Sequence, residues 1–348
     1  MITTRYKLGE CLSMIKNGAT IKQREGASGI PITRIETLSH DEFHRNRLGY
    51  ADVFDVTPYS EYVLQEKDIL MSHINSRAYL GRCVMYHKEN DEVVIHGMNL
   101  LRIQTKADIL DCTYAYYFFK SPYFKKCVDR RRTDAVNQSS INISNICDID
   151  ISLPSLEEQK SIASVLATLD RKIALNRQIN QNLETLARQL YDYWFVQFDF
   201  PDENGKPYKS SGGAMVWNEQ LKREIPKGWT NGVLSDVANI TMGQSPEGSS
   251  YNEDGDGVIF YQGSTDFGER FPKVRQYTTA PTRFAKKGDI LMSVRAPVGD
   301  LNIANSDCCI GRGLSSLNSK IGSITHLYYT MQSFKELFEI DQKTIGRK

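Results

Sequence analysis

Covalent chemistry needs reactive side chains at set spacings, and few stretches of this 348-residue chain offer them. His40-Asp41-Glu42-Phe43-His44 places two imidazoles four residues apart, as two zinc ligands on a helix would be. The glutamate sits third in that run and not second, so it is misplaced as a general base beside two ligands. Two surface histidines are the better reading. A nuclease needs clustered carboxylates and a lysine around a divalent ion. Pro201-Asp202 and the distant Asp341-Gln342-Lys343 come nearest, but Asp202 lies in turn-rich text. Cys308 and Cys309 are adjacent and poorly placed for a metal. There is no GxGxxG, no Walker A motif and no Asn-Pro-Pro-Tyr-type motif of amino-methyltransferases. The expectation is a chain with no catalytic residue and no metal site.

What remains is polar loops carrying side chains that read bases. Arg and Lys fit guanine edges, Asn and Gln fit adenine edges, and all of them also hold phosphates. In the first half the candidates are Lys22, Gln23, Arg24, His73, Asn75, Arg77, Arg131, Arg132, Asn137 and Gln138. In the second they are Gln244, Ser245, Tyr251, Gln262, Arg295, Arg312 and Lys343. Each taken singly also fits a solvated surface residue. Gln244-Ser245-Pro246 and Arg295-Ala296-Pro297-Val298-Gly299 are stiff, polar and turn-forming, which suits a loop entering a groove at little ordering cost. Arg312, between Gly311 and Gly313, also suits a buried ion pair, and Arg130 to Arg132 suit solvent or phosphate.

Such loops need a scaffold, and the chain is organised around one stretch, Leu153 to Phe200. Ile162, Leu166, Leu169, Ile173, Leu183, Ala187, Leu190 and Trp194 recur in alternating steps of four and three, the spacing of a coiled-coil seam. Asn176 and Asn180 fill the two missing places, where amides weaken a seam but fix partner and register. Ser155 and Glu158 can form a capping box after Pro154, and Phe200-Pro201 followed by Asp202-Glu203-Asn204-Gly205 ends the run. About forty helical residues make a rod of roughly 60 Å. That exceeds the roughly 34 Å between half-sites on one face of B-DNA, so the rod can hold two reading heads. A second stripe, Val165, Ile179, Leu186 and Tyr193, calls for more than one packing neighbour. An interdomain helix within one globular protein and an assembly rod both fit this pattern.

The segments on either side repeat each other. Asp68-Ile69-Leu70-Met71-Ser72 recurs as Asp289-Ile290-Leu291-Met292-Ser293. Tyr116-Tyr117 with Ser121 recurs as Tyr328-Tyr329 with Ser333, and Leu8 and Gly18 find echoes in Leu234 and Gly243. Four echoes in order mark a duplicated domain. The first unit runs over residues 1–153, with an aromatic-rich helix at Tyr114 to Val128. The helix follows at 154–199, a linker without periodicity at 200–227, and the second unit at 228–348. No second rod follows the second unit, so the seam is expected to lack an intramolecular partner.

Composition agrees with an ordinary soluble protein. Hydrophobic residues are 40% and charged residues 24%, and 43 basic against 42 acidic side chains leave a net charge of +1. Nucleic acid remains open as a partner, because binding uses local patches and not the total. No run approaches a membrane span, and the N-terminus lacks the apolar core of a signal peptide. Seven cysteines without CxxC spacing read as reduced thiols of a cytoplasmic protein.

The stretch Leu153-Pro154-Ser155-Leu156-Glu157-Glu158-Gln159, followed by Ile162-Ala163 and Leu169-Asp170, resembles the opening of the spacer helix in DNA-specificity subunits of type I restriction-modification systems. Trp194-Phe195-Val196 to Phe200-Pro201, with Asn204-Gly205 and Pro207-Tyr208, is similar to that family's inter-domain segment. Gly243-Gln244-Ser245-Pro246, Gly288-Asp289-Ile290-Leu291 and Arg295-Ala296-Pro297-Val298-Gly299 resemble its target-recognition domains. The resemblance implies an α+β fold, with two similar target-recognition domains separated by a long coiled-coil-forming helix. It implies a non-catalytic subunit that reads a bipartite site on double-stranded DNA. Methyltransferase subunits, which use S-adenosylmethionine to methylate adenine, would dock on it. Motor-nuclease subunits, with ATP and Mg, would join for restriction. Family members usually pair two spacer helices antiparallel. The missing second helix implies a truncated or shortened chain whose seam, at Ile162, Leu166, Leu169, Ile173, Asn176, Asn180, Leu183, Leu190 and Trp194, self-associates or pairs with another chain's helix. Two rival readings are a stand-alone restriction endonuclease and a coiled-coil scaffold that binds only proteins.

Overall fold

Ile-Leu-Met-Ser, written twice in the chain after an aspartate, forms one of the two inner strands of a four-stranded antiparallel sheet each time. The computed structural model describes residues 3–39, 41–136, 138–335 and 338. It divides into two compact units, Met1–Gln178 and Ile179–Lys348. In the first unit the strand order is Leu12–Asn17, Leu100–Thr105, Ile69–Ser72, Cys83–Met85. In the second it is Ala238–Met242, Leu314–Ser319, Ile290–Ser293, Leu301–Ile303, the same order with the same antiparallel pairings.

The register repeats as well. Ile69 faces Ile103 and Leu70 faces Arg102 in one sheet, as Ile290 faces Leu317 and Leu291 faces Ser316 in the other. The residue before each strand is an aspartate held in place by its neighbours. Asp68 accepts from the Gln65 N–H at 2.7 Å and from Gln104 Nε2 at 2.6 Å. Asp289 accepts from the Lys286 N–H at 2.9 Å and from Asn318 Nδ2 at 2.7 Å. Lys67 and Gly288 precede them, and both hold positive φ, at 66° and 92°. Glycine takes that conformation freely and lysine only under constraint. Facing residues then diverge: Arg102 pairs with Asp68 at 2.6 Å in a buried ion pair, whereas Ser316 donates to Asp289 at 2.8 Å.

Aromatic helices cover each sheet. The run at Tyr114 to Val128 is two helices and not one, Cys112–Lys120 and Pro122–Arg131. Pro122 cannot supply the N–H a continuous helix needs, so Ser121 closes the first helix and caps the second through the Phe124 N–H. Phe119 and Phe124 pack with Ile69, Met71, Leu101 and Ile103 in the main core of the first unit. The counterpart Ile324–Ser333 packs Leu327, Tyr328 and Met331 onto Ile290 and Leu317.

The long helix spans Leu156–Tyr191 and continues as one π-helical turn over Asp192–Val196. Ser155 and Glu158 form the capping box: the Glu158 N–H donates to Ser155 Oγ at 3.4 Å, and the Ser155 N–H to Glu158 Oε2 at 3.2 Å. Each unit holds its share of this helix with the duplicated tyrosine pair. In the first, Tyr117 donates its hydroxyl to Asp170 at 2.9 Å. In the second, the Tyr329 ring lies 6.3 Å from that of Tyr191, and Arg270 sits over Tyr328 while pairing with Glu184 at 2.6 Å.

Residues 200–227, which read as a linker, carry structure. Met215–Asn218 pairs with Arg223–Pro226 as a hairpin. Phe200 stacks on Tyr208 at 4.8 Å and on Trp229 at 5.3 Å. Widely spaced aromatics that stack follow neither helix nor strand period, so no pattern marked them.

Candidate nucleic-acid interface

Close backbone contact builds one junction of loops in the second unit. Gly243 ends its strand against the Ile310-Gly311 backbone, where an added Cβ would lie 2.2 Å from the Gly311 carbonyl oxygen. Only glycine fits so near another main chain. The Gln244 N–H then donates to the Ile310 carbonyl at 3.0 Å, and the Gly311 N–H to the Tyr261 carbonyl at 2.8 Å. Ser245 Oγ accepts from the Arg312 N–H at 3.2 Å and bonds the Gln262 amide at 3.1 Å. The Val294 N–H donates to the Gly313 carbonyl at 2.9 Å, which ties in the Arg295 loop. Tyr251 stiffens the same loop by donating to the Pro246 carbonyl at 2.9 Å and stacking on Phe260 at 4.8 Å.

Six of the seven expected second-unit residues therefore gather at one place, in two roles. Ser245, Gln262 and Tyr251 spend their polar atoms on holding the loops. Gln244, Arg295 and Arg312 are exposed, and neither guanidinium pairs with a carboxylate among the described residues. Lys343 lies outside the described residues. Arg283 is an addition: exposed, unpaired among the described residues, and next to Thr282, whose hydroxyl donates to the Gln244 carbonyl. Its own carbonyl accepts from the Ile310 N–H at 2.9 Å. Nothing in its local sequence sets it apart; only the pairing of strand Phe284–Ala285 with Cys308–Ile310 brings it here.

The first unit splits its candidates into two groups. Lys22, Gln23 and Arg24 lie beside residues 47–50, with the Arg24 N–H donating to the Tyr50 carbonyl at 3.0 Å. Gln23 donates to the Thr33 carbonyl at 3.3 Å, and its Oε1 would lie 1.8 Å from a Cβ added to Gly49. Arg24 pairs with Asp52, Lys22 is exposed, and exposed Arg34 and Arg47 join them, two basic residues that no motif marked.

The other group surrounds a small sheet in which Ser139-Ser140 pairs with Ile74-Asn75 on one side and with Thr133-Asp134 on the other. Asn75 bonds Ser72 Oγ at 3.1 Å, and Arg77 and Gln138 are exposed. Arg132 is a structural ion-pair residue, held by Asp134 at 2.7 Å and Asp129 at 3.2 Å. The Arg132 guanidinium and the Ser139 hydroxyl lower the Asp134 carboxyl below its ordinary range. Arg131 reaches Asp148 only at 4.0 Å. His73 is buried, and burial lowers its imidazole below the ordinary value, so it is no surface cation. Asn137 lies outside the described residues.

The helix stripe faces outward along most of its length. Leu169, Ile173, Leu183 and Leu190 are exposed, with Asn176 and Asn180 between them. Ile162, Leu166 and Trp194 at the ends are half-buried. Val165, Ile179 and Leu186 of the second stripe are exposed too.

Chemistry has little to work with. Asp202 spends Oδ1 on the N–H groups of Asn204 and Lys206, both at 2.8 Å, in a turn. His44 bonds the Ser39 carbonyl at 2.8 Å, while His40 and Asp341-Gln342-Lys343 lie outside the described residues. Among the described residues no three His, Cys, Asp or Glu side chains gather as metal ligands would, and no helix is long and apolar enough to cross a membrane.

Residues 4–185 and 226–346 each match the model of the type I restriction modification DNA specificity domain. The specificity subunit named for the MjaX type I restriction enzyme of Methanocaldococcus jannaschii is 38% identical over 332 residues, covering 93% of this chain and 74% of that one. The HindI specificity subunit of Haemophilus influenzae is 24% identical over 262 residues, covering 60% and 55%. A crystal structure of the type I restriction-modification S subunit from M. genitalium shares the fold, with a TM-score of 0.56 over 99% of this chain and 80% of that one at 16% identity.

Proposed function

The chain belongs to the type I restriction-modification DNA specificity family, and from that premise we propose that it is the non-catalytic subunit that reads a bipartite sequence on double-stranded DNA. One observation carries the reading. Two units with the same strand order, and with the same register between their two inner strands, present unlike exposed side chains, as two readers of unlike half-sites would. A 36-residue helix, about 54 Å long, joins them and sets the gap between half-sites. Adenine methyltransferase subunits and motor-nuclease subunits dock on this chain and bring S-adenosylmethionine, ATP and Mg with them.

The exposed seam is where a helix of a second copy packs, in self-association. Leu169, Ile173, Leu183 and Leu190 offer an apolar stripe, and Asn176 and Asn180 fix its register. Equilibrium sedimentation should show a dimer that L183D weakens; a monomer at high protein concentration overturns the self-association. For DNA reading, the test is selection of duplexes from a random library by the chain purified with its methyltransferase. A two-part motif with a fixed gap is expected. Recovery of no motif overturns the reading, and cleavage of duplexes by the purified chain with magnesium replaces it with a nuclease.

A further inference from the structure

We propose that Met98 in the first unit and Arg312 in the second occupy one equivalent base-reading position, and that the difference between them sets one base pair in each half-site. The inference rests on the DNA-reading function proposed above.

The equivalence follows from backbone contacts. In the second unit Gly243 packs on Gly311, the Gln244 N–H donates to the Ile310 carbonyl, and the Arg312 N–H donates to Ser245 Oγ. In the first, a Cβ on Gly18 would lie 2.2 Å from the His96 carbonyl oxygen and 2.5 Å from that of Gly97. There the Ala19 N–H donates to the His96 carbonyl at 2.7 Å, and the Met98 N–H to the Ala19 carbonyl at 3.1 Å. Behind the junction a parallel backbone pairing recurs, as a single bridge between Ile32 and Ile95 in the first unit and as paired strands with Phe260 opposite Cys309 in the second. Gly18, Ala19, His96, Gly97 and Met98 thus stand where Gly243, Gln244, Ile310, Gly311 and Arg312 stand. Of these positions the sequence repeat pairs only Gly18 with Gly243; backbone bonds carry the rest of the likeness.

Both side chains leave a fixed loop for solvent. Met98 is 47% exposed, an apolar side chain on a polar loop, touched at its sulfur by the Thr20 hydroxyl at 3.3 Å. Arg312 is exposed, and its guanidinium has no partner among the described residues. Burial explains neither residue type. Base chemistry explains both: a guanidinium fork matches N7 and O6 of guanine, and a thioether and methyl group match the thymine methyl while offering guanine no donor. The first unit accordingly takes an A·T pair where the second takes G·C.

The test is the chain co-produced with its methyltransferase subunit, with methylated adenines mapped across the host genome for wild type, M98R, R312M and R312Q. Neither side chain is buried, so thermal melting should be unchanged. M98R should move one base pair of one half-site toward G·C and leave the other half and the gap alone. R312M should relax one G·C pair of the other half-site, lowering discrimination roughly ten- to a hundredfold. R312Q should move the same pair toward A·T. Unchanged motifs in all three variants overturn the inference and leave the DNA-reading function standing. Methylation reduced evenly at every site marks a phosphate contact and also overturns it. A wild-type chain yielding no two-part motif refutes the DNA reading itself.

Discussion

Gln159 is the place to probe how the first unit grips the long helix. Its side chain is 1% exposed on the first turn and carries three hydrogen bonds. Oε1 accepts from the Asp111 N–H at 3.0 Å, and Nε2 donates to the carbonyls of Ile109 and Pro154, each at 3.0 Å. Gln159→Ala removes all three partners at once. A buried polar group left unsatisfied costs about 1–3 kcal/mol. A cleft of about 720 Å³ lined by Thr4, Tyr6, Asp108 and Glu158 borders the amide and admits water, so the lower end applies. Three groups at about 1 kcal/mol each give a loss near 3 kcal/mol. Gln159→Glu keeps the shape but turns a carboxylate toward two carbonyls, and should do no better. All three tryptophans, Trp194, Trp217 and Trp229, lie in the second unit, so their fluorescence is blind to this change. Hydrogen exchange over residues 105–115 is the assay, with the Asp111 amide exposed in Gln159→Ala and protected in wild type. Equal protection, with stability within about 0.5 kcal/mol of wild type, would mean that Gln159 does not hold the helix to the unit.

Other perturbations have equally definite outcomes. Arg102→Met strands the buried Asp68 carboxylate and should cost about 3–5 kcal/mol of first-unit stability in urea unfolding followed by circular dichroism; a neutral result would contradict the ion pair. Gly18→Ala drives a methyl group into the His96 carbonyl and should cost about 1–3 kcal/mol or more, read as a lowered melting temperature. Burial pushes the fully buried His96 imidazole down to about 4 from 6.5. Between those values the unfolded chain binds a proton that the folded chain does not, so stability should be intact above pH 6.5 and fall toward pH 4, by up to about 3 kcal/mol. His96→Phe should flatten that slope in pH-dependent thermal melting, and an unchanged slope would assign it to other groups.

Much of this architecture was legible from spacing alone. The Asp-Ile-Leu-Met-Ser repeat and the tyrosine pairs announced the duplication, because a strand core and a helix face repeat in short contiguous text. The capping box was equally plain. What stayed hidden depends on contacts distant in sequence. Arg34, Arg47 and Arg283 join the surface only through loop and strand pairings. Arg132 and His73 looked like readers, yet one serves an ion pair and the other is buried, because residue type is silent on burial. The hairpin at 215–226 was missed because its four-residue strands lack a clean alternation of apolar and polar positions.

Reading of two different half-sites by two sibling units on one helix is the proposed function at its simplest. It is tested most directly by exchanging residues 232–335 for the matching unit of a relative with another specificity, then mapping methylated adenines with the same methyltransferase. One half of the motif should change while the other half stays the same. A motif that changes in both halves, or in neither, would contradict it.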